Sequence, residues 1–327
     1  MKIEDIGHIA VLGTGTMAPA IALLCSRSGY DVSIWGRSDT SLQRAFDRLK
    51  SHLQTYRENN LIQEEQAELV LSRIAGVGTL KEAVRDADFV IEAVAEDLNL
   101  KKDIFSVVDG VCRETTIIAT NTSGLSITGL ASATNRPEKV VGTHFWNPPH
   151  MIPLVEIVRG EKTSEETIGI AADLMTKIGK TPVIVQKDIP GFIGNRLQFA
   201  LLREALHIVE QGVASMEDVD TTVKMSFGAR LPITGPLESA DLGGLDVYVA
   251  ISKYLMPDLC NSTEVSALLA EAVKNGRLGV KSGAGLYKWT PESISRIIKA
   301  REQELMRFFA TEGTGSTPPN AIDNGSD

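Results

Sequence analysis

The sequence predicts an α/β protein, a doubly wound parallel sheet followed by an all-α C-terminal domain. Three observations carry this. Short β-branched runs alternate with long helical patterns as far as about Gln186, the signature of parallel strands joined by right-handed crossovers. Beyond Asp188-Ile189-Pro190-Gly191 only helical periodicity remains. A length of 327 residues is enough for two domains at roughly 150 residues each. The Pro190-Gly191 turn signal marks the join. The expected organisation is a sheet domain over residues 1–187 and a helical domain over 188–310. From Thr311 the chain is rich in Gly, Ser, Pro and Asn, and this tail is expected to be disordered.

In chain order, His8–Leu12, Val32–Trp35, Phe89–Ala93, Thr116–Thr120, Val140–Thr143 and Thr181–Val185 read as strands. Met17–Ser28, Leu42–Asn60, Glu64–Arg73, Leu100–Val111 and Glu165–Ile178 read as the helices of the first domain. Those of the second are Phe192–Gln211, Met216–Ser226, Leu245–Leu255, Val265–Asn275 and Glu292–Phe309.

Composition excludes several classes. Residues are 43% hydrophobic and 23% charged, as in ordinary globular proteins. The net charge of −9 is spread along the chain, with 20 basic against 24 acidic residues through Lys187 and 13 against 18 after it. No basic stripe offers itself to nucleic acid or an anionic membrane. Apolar runs such as Phe89-Val90-Ile91 are soon broken by charge, so no transmembrane helix is expected. The acidic start, Met1-Lys2-Ile3-Glu4-Asp5, is unlike a signal peptide. Cys25, Cys112 and Cys260 match neither a disulfide framework nor a metal site. The expectation is a reduced, cytoplasmic protein without metal, whose sequons at Asn121, Asn261 and Asn324 are accidental.

Chemistry enters at Ile9-Ala10-Val11-Leu12-Gly13-Thr14-Gly15-Thr16-Met17-Ala18, a strand, a G-x-G-x-x-A turn and a helix start. Gly13 permits the tight turn. Gly15 lets backbone approach a pyrophosphate, and the free N–H groups of the helix beyond, from Thr16 and Met17, would receive it. At the first strand of a βαβ pattern this predicts a Rossmann-type dinucleotide site. The second strand ends in Val32-Ser33-Ile34-Trp35-Gly36-Arg37-Ser38, without the carboxylate that ordinarily receives the ribose 2′-hydroxyl. Arg37 with Ser38 would suit a 2′-phosphate, so NADP is expected in preference to NAD.

Of five histidines, His8, His52 and His207 sit in strand or helix patterns, and His150 follows Pro148-Pro149 in a loop. His144 alone ends an apolar strand, where ligands bind in parallel sheets. Another strand ends in Thr120-Asn121-Thr122-Ser123. In Leu154-Val155-Glu156-Ile157-Val158 the single carboxylate is either a solvent-facing edge residue or the partner that orients the imidazole.

These segments, in this order, resemble the 3-hydroxyacyl-CoA dehydrogenases. The resemblance runs from the glycine turn through Ile91–Glu96, Asn121–Leu125, His144–Pro148, Leu154–Val158, Asp188–Arg196 and Gly235–Glu238 to Gly279–Tyr287. It implies an oxidoreductase of acyl-CoA and fatty-acid chemistry, moving a hydride between C3 of a 3-hydroxyacyl thioester and the nicotinamide. It implies that His144 is the general base, that Glu156 orients and stabilises the imidazole, and that Ser123 and Asn195 hold the substrate oxygens. Glu96, Lys101, Asn147 and Lys281 match family positions near the cofactor. The resemblance also implies that the helical domain forms a homodimer, with the site in the cleft between domains.

Three departures bear on substrate. The family's lysines near the coenzyme A phosphates are replaced by Tyr56-Arg57-Glu58-Asn59-Asn60, leaving Arg57 as the substitute. Trp146 stands for the usual second Phe, and Asn147–Leu154 looks more like the relatives acting on L-gulonate or L-carnitine. Gly235–Asp246 and Lys281–Tyr287 look like the acyl-CoA branch. Acyl-CoA is the first expectation. A free 3-hydroxy acid, or a non-catalytic cofactor binder like the lens crystallin relative, are the alternatives.

Overall fold

The structure, a computed structural model, describes residues 1–312. It opens with β1 (His8–Leu12), α1 (Met17–Arg27), β2 (Asp31–Trp35), α2 (Asp39–Glu58), α3 (Glu64–Ser72) and β3 (Ile74–Val77). It continues through α4 (Leu80–Val84), β4 (Phe89–Glu92), α5 (Leu98–Asp109), β5 (Ile117–Thr120), α6 (Ile127–Ala131) and β6 (Val140–Phe145). Then come β7 (Leu154–Val158), α7 (Glu165–Lys177) and β8 (Thr181–Val185). The helical remainder is α8 (Gly194–Glu210), α9 (Met216–Met225), α10 (Pro236–Gly243), α11 (Leu245–Leu255), α12 (Ala267–Lys274) and α13 (Pro291–Glu312). The chain divides into two compact units after Arg196. Of the tail expected to be disordered, residues 311 and 312 belong to α13, and the rest lies outside the described residues.

Eight strands form one sheet in the order β3-β2-β1-β4-β5-β6-β7-β8. Its strands carry apolar side chains on both faces. Ile9 and Val11 of β1 join the cluster that packs under α1, α2, α3 and α7, while Ala10 and Leu12 join the cluster under α4, α5 and α6. Period-two alternation between two buried faces is why these strands read as unbroken hydrophobic runs. The sheet domain is thus the expected doubly wound fold.

The pairing departs from all-parallel at one place: β6 and β7 run antiparallel. Only eight residues join them, too few for the crossover that a parallel pair requires. The sequence reading passed over β3, α4, α6 and α10. In β3, four residues long, a glycine stands where a Cβ would meet the Phe46 ring at 2.9 Å. That tight packing removes the apolar side chain which would have signalled a strand.

Candidate active site

The glycine turn shows why its glycines are needed. Gly13 has φ +126°, and a Cβ there would lie 2.5 Å from the Ala93 carbonyl oxygen on the adjoining strand connection. At Gly15 a Cβ would meet nothing within 4 Å, because the backbone faces an open cavity of about 710 Å³. Thr16, at the start of α1, makes no side-chain capping bond, so the first N–H groups of that helix have no side-chain acceptor. By contrast Ser38 caps α2 through a reciprocal bond with Ser41, 3.2 Å each way. An uncapped helix beneath a bare glycine loop fits a pyrophosphate. Gly13, Gly15, Thr16, Met17, Arg37, Ser38, Glu96, Asn121 and Ser123 all line this cavity.

Three predicted cofactor residues, Lys101, Lys281 and Asn147, are not among the cavity's lining residues. Lys101 is 1% exposed, with Nζ donating to both Glu92 oxygens at 2.7 and 2.9 Å and lying 3.3 Å from Glu96 Oε2. It sits behind Glu96 and does not line the cavity. Lys281 is exposed in a short turn, Val280–Ser282, of the second unit. Asn147 is exposed at the start of the loop joining β6 to β7, just before a cis proline, Pro148.

The antiparallel pairing sets His144 directly opposite Glu156 in the register of β6 and β7. Both are buried, and His144 Nδ1 is 2.7 Å from Glu156 Oε2. A carboxylate can only accept, so His144 Nδ1–H is the donor, and in the neutral imidazole this leaves Nε2 as the acceptor. Glu156 is an interior strand residue, flanked by β6 and β8, and not an edge residue. Its second oxygen accepts from Ile193 N at 2.9 Å and Gly194 N at 3.0 Å, at the start of α8. Burial pushes this carboxyl up, but the bonds from His144, Gly194 and Ile193 outweigh it and hold the group below its ordinary value.

Backbone strain aims those two N–H groups. Gly191 and the wholly buried Phe192 both have positive φ, 76° and 52°, an uncommon state for a residue with a side chain. Gly194 must lack a Cβ, which would lie 2.3 Å from Trp146 Cζ2. The Trp146 and Phe192 rings stand 5.5 and 5.6 Å from the His144 ring, so the imidazole is enclosed by aromatic surface.

Ser123 and Asn195 come together: Asn195 Nδ2 donates to the Ser123 carbonyl at 2.8 Å. Ser123 N and the Thr122 hydroxyl both donate to Glu96 Oε1. Asn121 Oδ1 accepts from Phe145 N at 2.8 Å, tying the end of β5 to the residue after His144. Arg57, expected at the substrate, pairs instead with Glu64 on α3. His150 has its ring centroid 4.2 Å from that of His52 at a tilt of 41°, and burial, with His52 and Lys180 nearby, lowers its pKa to about 3. It is a neutral packing residue. Arg44 and Arg48, which also line the cavity, were passed over in the sequence. Their only signal was the helical spacing along α2, three residues from Ser41 to Arg44 and four more to Arg48.

A glycine loop under an uncapped helix, beside a buried imidazole–carboxylate pair, defines a nicotinamide-dependent oxidoreductase of the Rossmann class. Family models agree in detail: "3-hydroxyacyl-CoA dehydrogenase, NAD binding domain" matches residues 8–189 and "3-hydroxyacyl-CoA dehydrogenase, C-terminal domain" matches residues 191–289. The chain belongs to the 3-hydroxyacyl-CoA dehydrogenase family. It is 39% identical to a 3-hydroxybutyryl-CoA dehydrogenase of Clostridioides difficile, over 86% of this chain and 99% of that protein. It is 37% identical to 5-formyl-3-hydroxy-2-methylpyridine 4-carboxylate 5-dehydrogenase of Mesorhizobium japonicum, over 92% of this chain and 96% of that protein. A crystal structure of the enzyme acting on that pyridine compound, described as an NAD+ dependent dismutase, matches with a TM-score of 0.86 at 36% identity. That match covers 92% of this chain and 97% of the other. The (S)-3-hydroxybutyryl-CoA dehydrogenase of Ralstonia eutropha matches with a TM-score of 0.74 at 34% identity, covering 88% and 100%.

Proposed function

We propose that this chain interconverts a 3-hydroxyacyl compound and its 3-oxo form, with His144 as general base and acid. The observation that carries the reading is the His144–Glu156 pair, buried and closed on one side by the start of α8. The nicotinamide, when bound, takes or returns the hydride. His144 Nε2 takes the hydroxyl proton as the C3–H bond gives up its electron pair, and returns it in the reverse direction. Glu156 holds the imidazole in the required tautomer and stabilises the imidazolium that forms. Ser123 and Asn195 orient the substrate oxygens.

The first reading of the carrier is an acyl-CoA thioester, supported by the family. A second reading, a free carboxylic acid, is favoured by Arg57, whose guanidinium is engaged by Glu64, and by the likeness to the pyridine carboxylate enzyme. Absorbance at 340 nm with acetoacetyl-CoA, a free 3-hydroxy acid and a pyridine carboxylate separates the two. Turnover of only the free acids removes the first reading. Cofactor fluorescence quenching without any turnover removes both and leaves a cofactor binder.

NADP is the proposed cofactor, supported by the absence of an acidic residue at the end of β2 and by Arg37 in the cavity wall. Equal or better turnover with NAD overturns this. The proposed assembly is a homodimer through the second unit, supported by large apolar side chains that stand exposed there.

A further inference from the structure

Cavity charge departs from that of the chain. On α2, Ser41, Arg44 and Arg48 share one face at helical spacing and all line the dinucleotide cavity together with Arg37. Arg48 Nη1 donates to the Thr14 carbonyl at 3.0 Å, which ties α2 to the glycine loop. Two arginines four residues apart repel each other and weaken a helix. The acids nearest in sequence do not relieve this. Asp47 accepts from Gln43 at 3.0 Å, and neither it nor Asp39 is among the lining residues. Glu96, the one carboxylate in the described lining, is taken up by Thr122, Ser123 N and Lys101. The wall is therefore cationic in a chain of net charge −9.

Position 36 leaves little room for an acid. A Cβ at Gly36 would lie 2.8–2.9 Å from Thr14 Cγ2, Leu42 Cγ and Ser41 Oγ. A side chain at position 36 would require the Thr14, Leu42 and Ser41 side chains to give way.

We infer that Arg44 is a specificity-determining residue, its guanidinium joining Arg37 around a phosphate monoester on the ribose 2′-oxygen of the dinucleotide. Arg48 is the positioning residue that holds the glycine loop against α2. This rests on the NADP reading above and adds the residue that enforces it. A planar guanidinium presents paired donors to phosphate oxygens, which a lysine ammonium does not reproduce.

Calorimetric titration with 2′,5′-ADP and 5′-AMP tests the inference without turnover. The wild-type protein is expected to favour 2′,5′-ADP. Arg44→Ala is expected to shrink that preference by roughly tenfold to a hundredfold, the scale of a hydrogen bond to a charged group, and Arg44→Lys to recover part of it. If Arg44→Ala keeps the full preference while Arg37→Ala loses it, the role of Arg44 is overturned and the NADP reading stands. If the wild-type protein binds both fragments alike, both are overturned. Arg44 is exposed, so a matched thermal midpoint is expected to show that both variants fold.

Discussion

The two units treat their hydrophobic residues in opposite ways. In the first, strands and helices bury apolar side chains in two clusters, one on each face of the sheet. Polar groups taken inside, such as Glu92, Lys101, His144 and Glu156, are bonded to one another or to backbone. In the second, large apolar residues stand in the open: Leu237 is 82% exposed, Leu242 and Met225 78% each, and Tyr254 69%. Leu206 and Ala272 are the buried hydrophobics described there. A unit that builds its own core can hold charges at fixed geometry, because the low dielectric makes every unpaired polar group costly. A unit that leaves its apolar surface outside has a surface to share. The proposed chemistry draws on the former and the proposed homodimer on the latter.

Breaking the interior pair gives the largest effect. His144→Ala is expected to lower kcat by roughly a hundredfold to ten-thousandfold, the value of a general base, with cofactor binding retained in a fluorescence titration. Near-wild-type turnover removes His144 from the mechanism. Glu156→Gln follows, with kcat reduced by about tenfold to a hundredfold, since a charged hydrogen bond is lost from the transition state.

Gly194→Ala tests the packing that brings α8 to Glu156. Its Cβ must displace the Trp146 ring, at about 1–3 kcal/mol for overpacking. Turnover is expected to fall together with the thermal midpoint. An unchanged midpoint and rate would mean that Trp146 moves freely.

The stability profile sharpens the same point. Because Glu156 is held below its ordinary value of 4.5, the unfolded chain binds its proton first. The contribution is fully present above pH 4.5 and is lost as pH falls through the lower folded value. Urea midpoints measured from pH 6 down to 3 are expected to decline less steeply in Glu156→Gln than in the wild type. Parallel declines would contradict a native-state stabilisation of this carboxylate.

The smallest effect on the proposed catalytic pair is expected from the other unit. The double variant Leu237→Asp, Leu242→Asp is expected to halve the mass seen by sedimentation at micromolar concentration. A wild-type protein that already sediments as a monomer would end the dimer proposal.

Particular residues show how far the sequence could be read. The alternation of His8–Leu12 with Met17–Ser28, and its repetition, was enough for the sheet. Each strand is a short apolar run and each helix a long periodic one, and local pattern decides both. β3 escaped because packing against Phe46 leaves Gly76 without a side chain. Glu156 could be read two ways, as an edge residue or as the partner of His144. Only the register of β6 and β7 decides between them, and that register follows from the length of the loop. Lys101 looked like a cofactor residue by position, but it is drawn inward by Glu92, an interaction nine residues back that no period announces. Arg57 looked available until α3 brought Glu64 beside it.

By itself the sequence determined the fold class and the glycine loop, since each depends on residue type and short spacing, and it singled out His144 as the strand-end imidazole while leaving Glu156 open. Tertiary structure alone decided which groups meet: His144 with Glu156, Glu156 with the start of α8, and Arg44 with the cavity of the glycine loop. Those meetings join segments far apart in the chain. Their energies depend on burial and on distances of a few tenths of an ångström, which no local pattern encodes.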